Sequence, residues 1–185
     1  MIGEQGQTSL GSRAPDFELP GTDGQVHHLT PYLQEYQAVG VIFLGNLCPY
    51  VRRYIDRLKA IQTEFQNRGF TLVGINANDG GQMPEETLEE MKKFAIEYEL
   101  NFPYLRDSSQ DVAQSFGVER TPEVFLLARD GTICYCGGID DSPDTPEAVK
   151  QPFLRQAISA LLEGREIVTT MTEAPGCSLI WQEKS

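Results

Sequence analysis

Cysteines are the residues of this chain best suited to chemistry, and there are four: Cys48, Cys134, Cys136 and Cys177. They form no Cys-x-x-Cys pair and have no histidine spacing that suggests zinc. Neither a metal nor a cofactor is expected. Cys48 is set apart by its neighbours. Pro49 follows it, and Val51, Tyr54, Ile55, Leu58, Ile61 and Phe65 recur at helical spacing up to Gly69. A proline suits the first helical position, because its missing N–H would have had no intrahelical partner there. Cys48 is then the N-cap. A sulfur at that point faces free backbone N–H groups, those of Tyr50 and Val51, and the positive end of the helix dipole, which together favour thiolate over thiol. The thiolate is the nucleophile. The bland alternative is a buried cysteine that only packs.

The remaining candidates differ in context. Cys134 and Cys136 are two apart in an expected strand, so their side chains share a face about 6.6–6.8 Å apart along the chain, an awkward geometry for a disulfide. They read as structural. Cys177 follows Ala174-Pro175-Gly176 in a C-terminal extension, a mobile context from which a thiol can reach across the surface. Two roles stay open for it: resolving an oxidised Cys48, within the chain or from a second copy, or packing against the body. His27 and His28 are adjacent in an expected strand and point to opposite faces, so they are read as surface residues rather than as joint metal ligands.

The elements that must position Cys48 are legible around it. Val39 to Leu44 is an unbroken apolar run, the pattern of a strand buried on both faces. Phe70 to Asn76 is a second such run. Pro84-Glu85-Glu86 is expected to open a helix whose buried stripe is Leu88, Met91, Ala95 and Tyr98, with the acids as a solvated start. Phe102 to Leu105 is a short extended piece. Asp107, with Gln110 three residues on, is expected to cap a helix carrying Val112, Ala113 and Phe116 and ending at Gly117. Thr121-Pro122 leads into a strand over Glu123 to Leu127, where a proline is tolerated as a first residue. Arg129-Asp130-Gly131-Thr132 is a hairpin turn into a strand with Cys134 and Cys136. A last helix runs from Pro152 through Leu154, Ile158 and Leu161 to Gly164.

The order is strand, helix, strand, two helices around a short strand, hairpin, helix. This is an α/β arrangement with a central mixed sheet flanked by helices. One domain is expected over 14–164, with a flexible lead-in over 1–13 and a C-terminal extension over 165–185. A chain of 185 residues buries a core without disulfide staples. Its net charge of −12 argues against nucleic acid and anionic membrane as partners, since both reward positive patches. With no basic-apolar leader and no run of membrane-spanning length, a cytoplasmic protein is expected, its cysteines starting as thiols.

Several segments together carry a family resemblance: Ala14-Pro15-Asp16-Phe17, Asn46-Leu47-Cys48-Pro49-Tyr50-Val51, Gly74-Ile75-Asn76-Ala77-Asn78-Asp79, Phe102-Pro103-Tyr104-Leu105, Thr121-Pro122-Glu123-Val124-Phe125, Gly138-Ile139-Asp140-Asp141 and Gly176-Cys177-Ser178. The chain resembles thioredoxin-fold proteins of the peroxiredoxin type (alkyl hydroperoxide reductase and thiol-specific antioxidant proteins), and most closely a thioredoxin-related branch. The resemblance implies a thioredoxin-like three-layer fold, Cys48 as the reactive cysteine, and a cis Thr121–Pro122 bond lying against it. A Thr121 so placed would offer its backbone to an extended substrate strand. Arg120, just ahead of Thr121, is a candidate to lend charge to Cys48, a solvated arginine being the alternative.

The chain also departs from the patterns it resembles. Val51 stands where thioredoxins have their second cysteine, Gly45 where peroxiredoxins carry the threonine of Thr-x-x-Cys, and Leu47 where this branch often has a histidine. Three readings follow. In the first, Cys48 acts as a thiol–disulfide oxidoreductase on disulfide-containing proteins. In the second, it is a thiol peroxidase, an antioxidant function, acting on peroxide. Either needs an external thiol reductant such as a thioredoxin system. In the third, the protein is a non-catalytic redox-responsive or partner-binding module.

Overall fold

Ala38–Phe43 (β3) is buried at all six positions, as a strand at the centre of a two-faced sheet must be. In the computed structural model, which describes residues 9–183, β3 lies third in a five-stranded sheet. On one side it pairs in parallel with Phe70–Asn76 (β4), which pairs in parallel with Tyr104–Arg106 (β5). On the other it pairs antiparallel with Glu123–Ala128 (β7), which continues through a hairpin into Ile133–Gly137 (β8). The mixed sheet expected from the sequence is present.

Alternation along β3 builds the two flanking layers. Ala38 and Ile42 face one core with Pro49–Phe65 (α2), Leu88–Glu97 (α3) and Phe153–Leu162 (α5). Val39, Val41 and Phe43 face the other with Asp111–Phe116 (α4) and with Phe17, Leu19 and Leu29. Phe17 stands just before a small hairpin, Glu18–Pro20 (β1) with Val26–His28 (β2), Leu19 lies within β1, and Leu29 opens Leu29–Glu35 (α1). The described residues thus form a three-layer α/β fold.

Some boundaries moved. Residues 84–86 form one turn of 3-10 helix and α3 begins only at Leu88, because Glu86 turns inward. Asp107 does not cap α4 from its first residue. Its Oδ2 instead accepts the N–H of Ala113 at 2.8 Å, and the helix starts after Gln110, which takes a left-handed conformation. Within the expected lead-in over 1–13, residues 1–8 lie outside the described residues. Residues 9–13 are held to β8, with the Gly11 N–H on the Ile133 carbonyl and Arg13 bridged to Thr132. Among the described residues no helix is long and apolar enough to cross a membrane, and no cluster of His, Cys, Asp or Glu could hold a metal.

The largest difference is in the C-terminal extension, expected to be mobile. Thr170 and Thr172 hydrogen-bond to the Cys136 backbone on the outer side of β8, and the Thr172 hydroxyl meets the Tyr135 hydroxyl at 2.7 Å. Farther on, Cys177–Ser178 (β9) pairs antiparallel with Arg120–Thr121 (β6). Leu179 is buried. The apolar and hydrogen-bonding groups of the extension find partners on the body, and that docking outweighs its polar, proline-containing composition.

Candidate functional site

Cys48 sits between β3 and α2, 5% exposed, with Pro49 as the first residue of the helix. Its Sγ lies 3.3 Å from the Thr121 carbonyl oxygen, within reach of a thiol hydrogen bond. The Thr121–Pro122 peptide bond is cis. Cys177 is the register partner of Thr121 across the β6–β9 pair, and its sulfur is joined to that of Cys48, with the Cα atoms 6.0 Å apart and 129 residues between them in sequence. That separation is inside the ordinary disulfide range. Cys48, Thr121, Pro122 and Cys177 therefore meet at one point. The edge of Thr121 that a substrate strand would use is filled by the protein's own residues 177–178.

Two details differ from the sequence expectation. Cys48 is the N-cap, but its side chain makes no capping hydrogen bond. It points to Thr121 and Cys177, and the Tyr50 N–H instead approaches the Cys177 sulfur. Arg120 is exposed, and its guanidinium donates to the Gly176 carbonyl at 3.3 Å, so it braces the segment that carries Cys177. Elsewhere, Cys134 and Cys136 are free thiols, both pushed up by burial. His27 is engaged by Asp23 and Tyr32 beside the β1–β2 hairpin, and His28 is exposed.

With the pair reduced, burial first and then the hydrogen bond and charge of Cys48 push the Cys177 thiol up to about 11, the Tyr50 N–H pulling weakly the other way. Cys177 therefore stays protonated at neutral pH. This suits the thiol that acts second, after Cys48, rather than the one that first attacks a substrate.

A residue that the sequence reading placed in solvent supports the site from below. Glu86 is 2% exposed, and its carboxylate accepts the N–H of Asn46 at 2.8 Å, the N–H of Leu47 at 3.0 Å and the amide of Asn76 at 2.6 Å. Asn46 in turn accepts the Tyr104 hydroxyl at 2.7 Å, and its carbonyl takes the Arg52 Nε at 2.9 Å. The loop before Cys48 is thus fixed by one buried carboxylate with three donors. An acidic residue just before a helix reads the same in sequence whether it points out or in, so no signal separated Glu86 from Glu85. Glu86→Ala leaves those donors buried and unpaired, and we expect a stability loss of about 2–4 kcal/mol, measured by urea unfolding.

Gly45 has a physical reason to be glycine. A Cβ there would lie 2.6 Å from the Asn78 amide nitrogen. A threonine in that place would displace Asn78, so the hydroxyl of the Thr-x-x-Cys pattern is missing and the room for it is taken. Val51, in place of a second thioredoxin-type cysteine, is buried against the core.

The sequence profile of the AhpC/TSA family matches residues 10–136, more than half of the chain. The chain belongs to the AhpC/TSA family. Within that setting it is 29% identical over 132 residues to the thiol-disulfide oxidoreductase ResA of Geobacillus thermodenitrificans (strain NG80-2), with 70% of each chain covered. The crystal structure of a hypothetical protein from Sinorhizobium meliloti 1021 superposes with a TM-score of 0.90 at 35% identity, covering 96% of this chain and 97% of that one. The thioredoxin domain of a thiol-disulfide oxidoreductase from Bacteroides vulgatus, 22% identical, has a TM-score of 0.59 over 69% of this chain and 86% of its own, and shows the thioredoxin fold. The profile of the AhpC/TSA family ends at residue 136, so Cys177 and its docking lie outside the matched region.

Proposed function

We propose that this AhpC/TSA protein is a thiol–disulfide oxidoreductase that cycles between a Cys48/Cys177 dithiol and the Cys48–Cys177 disulfide. The observation that carries this reading is the second cysteine paired with Cys48 across the Thr121 segment. The Cys48 thiolate attacks one sulfur of a substrate disulfide, forming a mixed disulfide and releasing the other sulfur as a thiolate. Cys177, giving up its proton, attacks the Cys48 sulfur, releases the second substrate thiolate and leaves the internal disulfide. The substrate gains two electrons and the protein loses two. An external dithiol returns them by the reverse exchange. The partners are therefore a disulfide-containing substrate and a thiol reductant.

Gly45 and the nearby Asn78 amide favour disulfide over peroxide, because no side-chain hydroxyl stands at residue 45 to bind a peroxide oxygen. The test is to challenge the fully reduced protein in parallel with glutathione disulfide and with hydrogen peroxide, and to follow loss of the Cys48 thiol by quenched alkylation. Faster consumption by the disulfide is expected. Faster oxidation by equimolar peroxide, passing through a sulfenic acid, would sink this reading in favour of a peroxidase.

A further inference from the structure

The segment after Cys177 is held largely by side-chain amides. The Ile180 N–H donates to Oδ1 of Asn78 at 2.8 Å. Its carbonyl accepts Nε2 of Gln110 at 2.9 Å and the N–H of Asp79 at 2.8 Å. The Gln182 N–H donates to Oε1 of Gln110 at 2.9 Å. Asn78 and Gln110 are both buried. Gln110 has φ +67°, a conformation that costs a residue with a side chain, and from there its Nε2 also reaches the Ala77 carbonyl at 2.7 Å. The Asn78 amide in turn occupies the room that the missing Gly45 side chain leaves.

We propose that Asn78 and Gln110 form a clamp that keeps Cys177 docked opposite Thr121 after the Cys48–Cys177 bond has opened, and that Gly45 is glycine to make room for it. The inference rests on the thiol–disulfide reading above. Asn78 and Gln110 are positioning residues, since they act on the resolving thiol only through residues 180 and 182. Both amides are neutral, and neither changes when two electrons enter the disulfide, so their hydrogen bonds persist in either redox state. Upstream, Thr170 and Thr172 tie the chain to Cys136. Cys177 therefore sits in a short strap between two anchors. Its effective concentration at Cys48 is set by that strap and not by a free tail. The same clamp explains how a family member can dispense with a Thr-x-x-Cys hydroxyl: residue 45 has yielded its space to the group that holds the second thiol.

The first measurement needs no variant. In wild-type protein kept reduced, the backbone amides of Ile180 and Gln182 should exchange with deuterium at least about tenfold more slowly than in a free chain. In Asn78→Ala and Gln110→Ala that protection is lost, and the equilibrium constant for forming Cys48–Cys177 from glutathione disulfide falls about tenfold or more. Gly45→Ala should shift the constant in the same direction, and should add nothing on the Asn78→Ala background. Thermal unfolding identifies the variants that remain folded. Free-chain exchange of residues 180 and 182 in the reduced wild type would overturn the clamp, and so would folded variants with an unchanged constant. Failure of the thiol–disulfide reading looks different: glutathione disulfide then forms no Cys48–Cys177 bond, and exchange in the reduced wild type still decides the clamp.

Discussion

A Cys177→Ser protein mixed with a small disulfide stalls as a mixed disulfide on Cys48, and its steady-state turnover falls by about 10²-fold or more when external thiol is micromolar, because a tethered thiol competes at an effective concentration of about a millimolar or above. The stalled species should be seen intact by mass spectrometry, with the adduct on Cys48. The pairing supports this expectation, since Cys177 is joined to Cys48 and the other two cysteines are free thiols. The wild-type step also has a defined pH dependence. Cys177 is pushed up to about 11, chiefly by burial and next by Cys48. That value holds for the reduced pair; in the mixed disulfide burial still raises Cys177, which must ionise to attack, so release of substrate should accelerate as pH rises from neutral through the alkaline range. Once Cys48 is tied up in the mixed disulfide its charge is gone, and burial remains the leading cause. A release rate that is flat or falling between neutral pH and pH 10 would contradict the assignment of Cys177 as the resolving thiol.

Gly176→Val should reproduce the Cys177→Ser defect with the thiol still present. A Cβ on residue 176 would collide with the Thr121 carbonyl, a backbone atom with no freedom to move aside. The tail must then lift by a distance that breaks the Thr121–Cys177 register. Overpacking of this kind costs about 1–3 kcal/mol where the structure cannot relax, and here the cost falls on the docked tail and not on the core. The protein should fold, with the far-ultraviolet circular dichroism of the parent. Non-reducing peptide mapping after oxidation should recover little Cys48–Cys177 linkage and, in its place, mixed disulfides of Cys48. An undiminished internal disulfide in the folded variant would show that the close approach of Gly176 is dispensable.

The centre of the site was legible because its signals are local. A two-faced apolar strand, a cysteine, a proline at the first helical position and an apolar stripe ending at a left-handed Gly69 all lie within one stretch, and together they favour one reading of the cysteine over simple packing. The cis Thr121–Pro122 bond was carried by resemblance alone, since its local sequence is equally that of a proline entering a strand. What the sequence hid depends on distant partners. β9 is two residues long and pairs with a segment 56 positions earlier, so no periodicity announces it. Glu86 looks like its exposed neighbour Glu85 until the backbone N–H groups of Asn46 and Leu47, some 40 residues away, are brought to it. Asn78 and Gln110 lie in loops whose composition suits turns as well as clamps. α1 was not anticipated: it spans only seven residues, and its Pro31 lies in the first turn, where a proline displaces no hydrogen bond.

The 129-residue separation between Cys48 and Cys177 ties electron transfer to the entropy of the unfolded chain. A cross-link closing a loop of that length removes conformations from the denatured ensemble worth about 5 kcal/mol in the chain-entropy account. This is a quantity of the same order as the whole stability of a typical domain. In the proposed cycle each turnover alternates the protein between a stapled and an unstapled chain, so the redox poise of its surroundings would also set its resistance to unfolding. Through the closed thermodynamic cycle the converse holds as well: whatever stabilises the native fold more in the oxidised than in the reduced protein makes the Cys48–Cys177 bond harder to reduce by the same amount.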